Sequence, residues 1–478
     1  MITEAREVAL EVVRATFEEG AFTERAFRAA ADARGLAGRE RAQAQRLAYG
    51  AVQRRGTTDA AIGRLSERPL GRLDPPVLGV LRVGLYELLF GDATPDHAAV
   101  DQSVEAARAA GAAQAAGLVN AVLRRAARER ADLSADLLSD DSTPERAAVA
   151  HSAPLWLVRM WWEELGPDTA RSLLAACNEP AEVALRTTVA PRGIKVAPRS
   201  LREEPDRDAC SLGAPCETVV SELREEGVEV RPATGPWPLA APEMLVLEGR
   251  MGEGTQARIR AGLLTPQSRG SAAVVEVLDP QPGEHVLDLC AGPGIKTGQI
   301  AQRMGGRGET MSIELDPARA ADVAAQADRL GLRTVTVVEA DAAAGGMPAR
   351  FDRVLVDAPC SDLGALASRP DARWRKSEQG IERLAEVQSE ILARAATALR
   401  PGGTLVYATC TISRRENEDR ALGLREISAQ GRVPPLEIDD LGALAPELAS
   451  HHDRRCLQIR PDRDRTTGFF ICRLKRDD

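Results

Sequence analysis

HVLDLCAGPGIKT (285–297) decides the fold. Its apolar first half reads as a buried strand ending near Asp288. A turn carrying Gly292 and Gly294 follows, and KTGQIAQRM (296–304) then reads as a helix. Glycines let a backbone approach a ligand closely, and a helix start offers free N–H groups, which suits a phosphate or an amino-acid carboxylate. Working outward, ETMSIEL, TVTVVEA, RVLVDAP and TLVYATC read as further strands. PARAADVAAQADRLG and IERLAEVQSEILARAATALR read as the helices between them. This alternation implies a mostly parallel sheet covered on both faces, a Rossmann-like α/β core. LQIRPDRDRTTGFFICRLKR adds strands at its end.

Ligands bind beyond the carboxyl ends of such strands, so the residues there are the candidate site. Glu314 ends the second strand about 20 residues after the turn, a placement that suits a ribose diol. Asp316 is a rival for that contact. Asp341 ends the third strand within reach of an adenine amine, and Asp357 ends the fourth. The turn lacks G-x-G-x-x-G, so the acid series fits S-adenosylmethionine (SAM) better than a pyrophosphate dinucleotide. Cys360 and Cys410 follow the fourth and fifth strands. Their sulfurs are expected to face one pocket, although a lone buried cysteine is more often a small hydrophobe.

At 478 residues the chain exceeds one ordinary domain. Three are expected: a helical domain over 1–135, a helical connector with a small α/β subdomain over 136–270, and the α/β core over 271–478. No apolar run is long enough for a bilayer, and MITEAREVALEVV is amphipathic unlike a signal peptide, so a cytoplasmic location is expected. Eight scattered cysteines without a CxxC pair read as free thiols, and five histidines give no metal constellation. Apart from the motif cysteines, Cys177, Cys210, Cys216, Cys456 and Cys472 read as structural.

The net charge of −9 argues against a wholesale basic nucleic-acid binder. Arginine clusters at Arg54–Arg55, at Arg124, Arg125, Arg128 and Arg130, and at Arg369, Arg373 and Arg375 are candidates for local phosphate contacts. Solvated helix faces are the alternative. Residues 1 to about 130 carry helical periodicity almost throughout. PPVLGVLRVGLYELLF (75–90) is apolar enough for a central helix, Gly111 is a helix stop, and 131–154 looks like a hydrophilic connector. Trp156, Trp161 and Trp162 read as core.

The motifs together resemble the RNA cytosine-5 methyltransferases of the RsmB/Nop2/Sun family. DLCAGPGIKT resembles that family's CAAPGGKT turn, with Ile295 in place of a glycine. DAPCS followed by RPDARWR resembles DAPCSGTG…RHPDIKWR, with Asp362 and Leu363 in place of Gly and Thr. ATCTISRRENE matches the Thr-Cys motif. LAYGAVQRR, LDPPVLGVLRVGLYELLF, HAAVDQSVEAAR and GLVNAVLRR resemble the helical NusB-like domain, which serves RNA or protein contacts. Near residue 267 the family has Gln-Asp, whereas Ser268 follows Gln267 here.

The resemblance implies SAM as cofactor, held by Cys290, Ala291, Gly292, Pro293, Gly294, Ile295, Lys296, Glu314, Asp341 and Asp357. Cys290 itself reads as packing. It implies Cys410 as the nucleophile on cytosine carbon 6, Cys360 as the residue assisting elimination, and Asp357 and Lys296 at the base. The fused NusB-like domain points to 16S rRNA, free or in a small-subunit assembly intermediate, with no membrane partner and a monomer expected. The alternatives are a tRNA methyltransferase, a ribosome-assembly scaffold that binds RNA, and a DNA cytosine-5 methyltransferase. The Thr-Cys motif and the NusB-like segment speak against the last.

Overall fold

The computed structural model describes residues 2–91, 94–188, 215–249, 251–344 and 349–477. Lys195, Cys210 and the side chain of Cys216 lie outside the described residues. The chain divides into two compact units: residues 1–179 with 366–377, and residues 180–365 with 378–478.

The first unit is helical. Pro75–Phe90 is its central helix, with proline in the first turn, where a missing N–H costs nothing. Val77, Val80, Leu81, Leu85 and Leu88 are buried with Val100 of Asp96–Ala109 and with Val119, Val122 and Leu123 of Ala116–Arg128. Each such side chain stabilises the fold by roughly 1.5–3 kcal/mol when fully buried. Gly111 has φ +76, as its reading as a helix stop requires. The stretch 131–154 is not an irregular connector. It holds most of Arg130–Leu138 and all of Pro144–Ala150, the latter capped by Thr143 accepting from the Arg146 amide. Trp161 is fully buried, and Trp156 and Trp162 are partly so.

Two sheets form the second unit. The smaller is antiparallel and four-stranded: β1 (Val183–Thr187), β2 (Val230–Pro232), β3 (Met244–Leu247) and β4 (Leu264–Pro266), in the order β2-β3-β1-β4. The larger contains β5 (His285–Asp288), β6 (Glu309–Glu314), β7 (Val335–Glu339), β8 (Phe351–Asp357), β9 (Leu399–Thr409), β10 (Leu436–Ile438), β11 (Leu457–Ile459) and β12 (Phe469–Arg476). Its order is β10-β12-β9-β8-β5-β6-β7, with β11 paired to β12. Strands β5 to β9 are parallel to their neighbours within that group, and β10, β11 and β12 join antiparallel.

Side-chain alternation builds a core on each face of this sheet. Val286, Leu355, Val406, Ala408 and Ile471 pack with Val274, Val277 and Ile300. Leu287, Val354, Val356, Leu405, Tyr407 and Phe470 pack on the other face with Ile391, Leu392 and Leu424. Covering both faces explains why these strands are nearly continuous apolar runs in sequence. Strand β5 pairs with β8 on one side and β6 on the other, so the strand order reverses at β5. In such sheets the crevice at the reversal point receives the ligand.

Candidate active site

Three chain segments converge at that crevice: the turn after β5, the loop after β8 and the loop after β9. In the turn, Gly294 has φ +92, a left-handed conformation that glycine adopts without strain. A Cβ on Gly292 would lie 2.4 Å from Glu314 Oε2. A side chain there would displace the Glu314 carboxylate, and helix Ile295–Arg303 starts directly from the turn. Glu314 accepts a hydrogen bond from the Gly292 amide at 2.9 Å and one from the Asp316 amide at 3.0 Å. Asp316 caps helix Pro317–Arg329 by accepting from the Ala318 and Arg319 amides, so it is engaged elsewhere. Asp341 is exposed beyond β7 and accepts from the Ala343 amide at 2.8 Å. Cys290 is partly buried against the core, in keeping with its reading as packing.

Asp288 was not singled out as a site residue, because it reads as the end of a buried strand. It is 1% exposed. One oxygen accepts from Thr297 Oγ1 at 2.8 Å, and Oδ1 has no hydrogen-bond partner. Burial pushes its carboxyl up to about 7. An unpaired buried carboxylate oxygen beside a glycine turn suits a ligand carrying an ammonium group, and SAM carries one. Arg186 was missed as well. Its buried guanidinium donates from β1 to Gln267 Oε1 at 2.9 Å and to the carbonyl of Ile295 at 3.0 Å, bracing the turn from below. Gln267 passes the contact on to Gln299 at 2.6 Å, and Ser268 caps helix Arg269–Leu278 where the family has aspartate.

Across the crevice, Lys296 Nζ lies 2.6 Å from Asp357 Oδ2 and 4.8 Å from the centre of the Phe469 ring. The two thiols meet: Cys360 Sγ and Cys410 Sγ are 3.3 Å apart. Cys410 Sγ also lies 3.2 Å from Asp362 Oδ1, and Asp362 holds φ +59. The two sulfurs and a carboxylate oxygen of Asp362 all lie within 4.8 Å of one another. The hydrogen bond with Cys360, then burial, then the charges of Cys360, Asp362 and Asp357 push the Cys410 thiol well above its ordinary range.

A buried polar brace fixes the two cysteine loops. Glu416 accepts from the Ser361 amide at 2.9 Å and from the Ser361 hydroxyl, while Gln388 donates to Glu416 at 3.2 Å and to the Pro359 carbonyl at 2.9 Å. Asn417 pairs with Thr409 at 2.5 Å and donates to the Thr411 carbonyl at 3.2 Å. The Gly364 amide donates to the Cys410 carbonyl at 2.9 Å, and a Cβ there would lie 2.4 Å from the Gly468 carbonyl oxygen. The acids of RRENE were the only sequence trace of this brace.

One expectation fails. Arg373 is 1% exposed, and its guanidinium donates to the carbonyls of Ser152 at 3.0 Å and Cys177 at 2.9 Å and to Asn178 Oδ1 at 3.1 Å. It is consumed inside the helical unit and is not a phosphate contact. Arg375 pairs with Asp371 at 3.1 Å and stacks on Phe22. Arg125 and Arg128 both reach Glu129.

Comparison with known proteins gives the family of the chain. Residues 275–475 match the model of the family described as 16S rRNA methyltransferase RsmB/F, and residues 3–128 match the NusB family. A Bacillus subtilis (strain 168) protein named "Probable ribosomal RNA small subunit methyltransferase B" is 30% identical over 99% of both chains. The ribosomal RNA small subunit methyltransferase B of Escherichia coli O6:K15:H31 is 30% identical over 91% of this chain and 90% of its own. The crystal structure of PH0851 shares the fold with a TM-score of 0.77 at 24% identity, covering 99% of this chain and 98% of that one. Among the described residues no helix is long and apolar enough to cross a membrane. In sequence and in fold, this chain belongs to the RsmB/F family of SAM-dependent small-subunit rRNA methyltransferases.

Proposed function

We propose that the protein methylates carbon 5 of a cytosine in 16S rRNA through a covalent Cys410 adduct at carbon 6. The observation that carries this reading is the pair of thiols 3.3 Å apart at the ends of β8 and β9, in the same crevice as the Lys296–Asp357 pair. Cytosine carbon 5 is a poor nucleophile. Addition of a thiolate to carbon 6 makes it enamine-like, and loss of the carbon-5 proton then expels the sulfur. SAM supplies the electrophilic methyl on its sulfonium. Residues 290–296, Glu314, Asp341 and Asp357 would hold it, with the spare oxygen of Asp288 facing its ammonium.

Cys410 is the attacking group, and Cys360 assists the elimination. Asp357 holds the base edge, and Lys296 keeps that carboxylate in place. The helical domain contributes RNA contacts, and the target base is taken out of its stack to reach the thiols. The chain is read as three working segments, 1–135, 136–270 and 271–478, acting as a monomer in the cytoplasm.

Bisulfite sequencing of unmodified 16S rRNA incubated with SAM and enzyme tests this. Wild type should protect one cytosine, and Cys410→Ala none. Cys360→Ala should leave enzyme covalently joined to RNA. No protected cytosine with wild type would sink the reading.

A further inference from the structure

Cys410 needs somewhere to send a proton. The thiol is buried enough, and close enough to Cys360, to stay protonated, yet only its sulfur lone pair freed of that proton adds readily to carbon 6. Three groups face or charge this sulfur: Cys360 beside it, Asp362 in the β8 loop, and Asp357 at the end of β8, which is itself paired with Lys296. Asp357 shares its nearer oxygen with Lys296 at 2.6 Å. Asp362 Oδ1 is the carboxylate oxygen within hydrogen-bond range of Cys410 Sγ, at 3.2 Å.

Its backbone is informative too. Asp362 sits at φ +59, a left-handed conformation that glycine adopts freely and aspartate at a smaller cost than most residues, and that the resembled family fills with glycine. The loop is pinned in this form: the Ala365 amide donates to the Asp362 carbonyl at 2.9 Å, and Gly364 is clamped between the Cys410 carbonyl and Gly468. A carboxylate is thus held, at a backbone cost, against the nucleophile.

We infer that Asp362 is a catalytic general base in this chain, taking the Cys410 proton as the sulfur attacks and returning it when the sulfur leaves. This rests on the proposed cytosine-5 reading. The S–H bond of Cys410 breaks, its proton passes to Asp362 Oδ1, and the freed electron pair forms the S–C6 bond. On elimination the carbon-5 proton leaves to solvent, its C–H pair forms the C5–C6 double bond, and the C6–S pair returns to sulfur, which takes its own proton back from Asp362.

The test compares full-length wild type, Asp362→Gly and Asp362→Asn by three readings. These are melting temperature, kcat and KM on unmodified 16S rRNA from pH 5.5 to 9, and the rate at which iodoacetamide alkylates Cys410, read by peptide mass spectrometry without RNA. Asp362→Gly should melt no lower than wild type, since glycine accepts this backbone. Both variants should lose about 100-fold in kcat with KM unchanged. Their rates should climb with pH where wild type is level. Losing the proton acceptor should slow alkylation of Cys410 at pH 7 as well, because the thiol attacks iodoacetamide by giving up the same proton. An Asp362 acting only through its charge holds that proton on sulfur, so its removal would instead speed alkylation, and a purely structural role would lower the melting temperature. Variants that match wild type in kcat, or that alkylate faster than wild type, would overturn the inference while the cytosine-5 reading stands. A wild type that modifies no cytosine would overturn both.

Discussion

Asp288 and Arg373 are both ionisable side chains taken out of water, one in the turn of the α/β unit and one inside the helical unit. They are treated in opposite ways. Arg373 spends its guanidinium on the carbonyls of Ser152 and Cys177 and on Asn178. Asp288 keeps one oxygen on Thr297 and leaves the other unpaired. Leaving a buried polar atom unmatched costs about 1–3 kcal/mol, so it persists where something else profits from it. Arg373 leaves only Nε unmatched and spends both terminal nitrogens on architecture, whereas Asp288 keeps one of its two oxygens open at the crevice, where a ligand completes the set.

The largest test of that contrast is pH. The folded-state carboxyl of Asp288 is raised to about 7 from an ordinary 3.8. Between these values the folded state holds a proton that the unfolded chain has released. Stability from this group is therefore full below about pH 4, falls as pH rises toward 7, and is level above it. The loss is on the order of 4 kcal/mol across the window. Asp288→Asn should gain stability relative to wild type from pH 4.5 to 7.5 in thermal unfolding without SAM. Adding SAM should shrink the wild-type slope, because its ammonium stabilises the carboxylate. Parallel pH curves for the two proteins would show that the spare oxygen is not under strain.

Arg373→Met comes next. Five acceptors, counting the His151 and Leu366 carbonyls, lose their donor, for a cost of about 3 kcal/mol and a fall in melting temperature of roughly 10 °C. The salt dependence of RNA binding should not change, since no phosphate contact is lost. A shallower salt slope would return Arg373 to the RNA surface and undo the contrast. Glu416→Gln probes a third buried acid, one that is satisfied and yet serves the site. The Ser361 and Gln388 amides share one Glu416 oxygen, so the new amide nitrogen faces the Ser361 hydroxyl, which must turn from donor to acceptor, and two charge-assisted bonds become neutral ones. About 2 kcal/mol of stability should go, together with methylation rate, as the cysteine loops loosen.

What the sequence shows of this molecule follows from how local each signal is. The large sheet was legible because strands buried on both faces are continuous apolar runs, as in RVLVDAP and TLVYATC. That Cys360, Cys410 and Asp357 gather was legible because strand ends in such a sheet share one crevice, whereas Lys296 was named only through the family resemblance. Asp288 was not, because an acid ending VLD differs from any strand-terminal acid only by what surrounds it. Glu416 and Gln388 were not, because their partners lie 55 and 29 residues away in sequence, at Ser361 and Pro359. RPDARWR misled for a related reason: a cluster of arginines reads as a basic surface until burial is known. Its tryptophan, Trp374, donates to the Val52 carbonyl at 2.7 Å within the helical unit.

The smallest expected effect lies two residues from Arg373. Arg375 pairs with Asp371 at 3.1 Å, and its guanidinium lies 3.6 Å from the centre of the Phe22 ring, but its side chain is 29% exposed. The Arg375 guanidinium still reaches water, although Asp371 is buried, so the ion pair and the cation–π contact are each worth about 0.5 kcal/mol. Arg375→Gln keeps the chain length and some polarity. It should cost about 0.5–1 kcal/mol, a shift of 2–3 °C at most on the scale of a domain this size. Arg373→Met should cost several times more, although composition gives the two arginines equal standing. Equal losses at 373 and 375 would mean that burial is not what separates them. A ratio of three or more would tie the cost of each arginine to how completely its donors are enclosed.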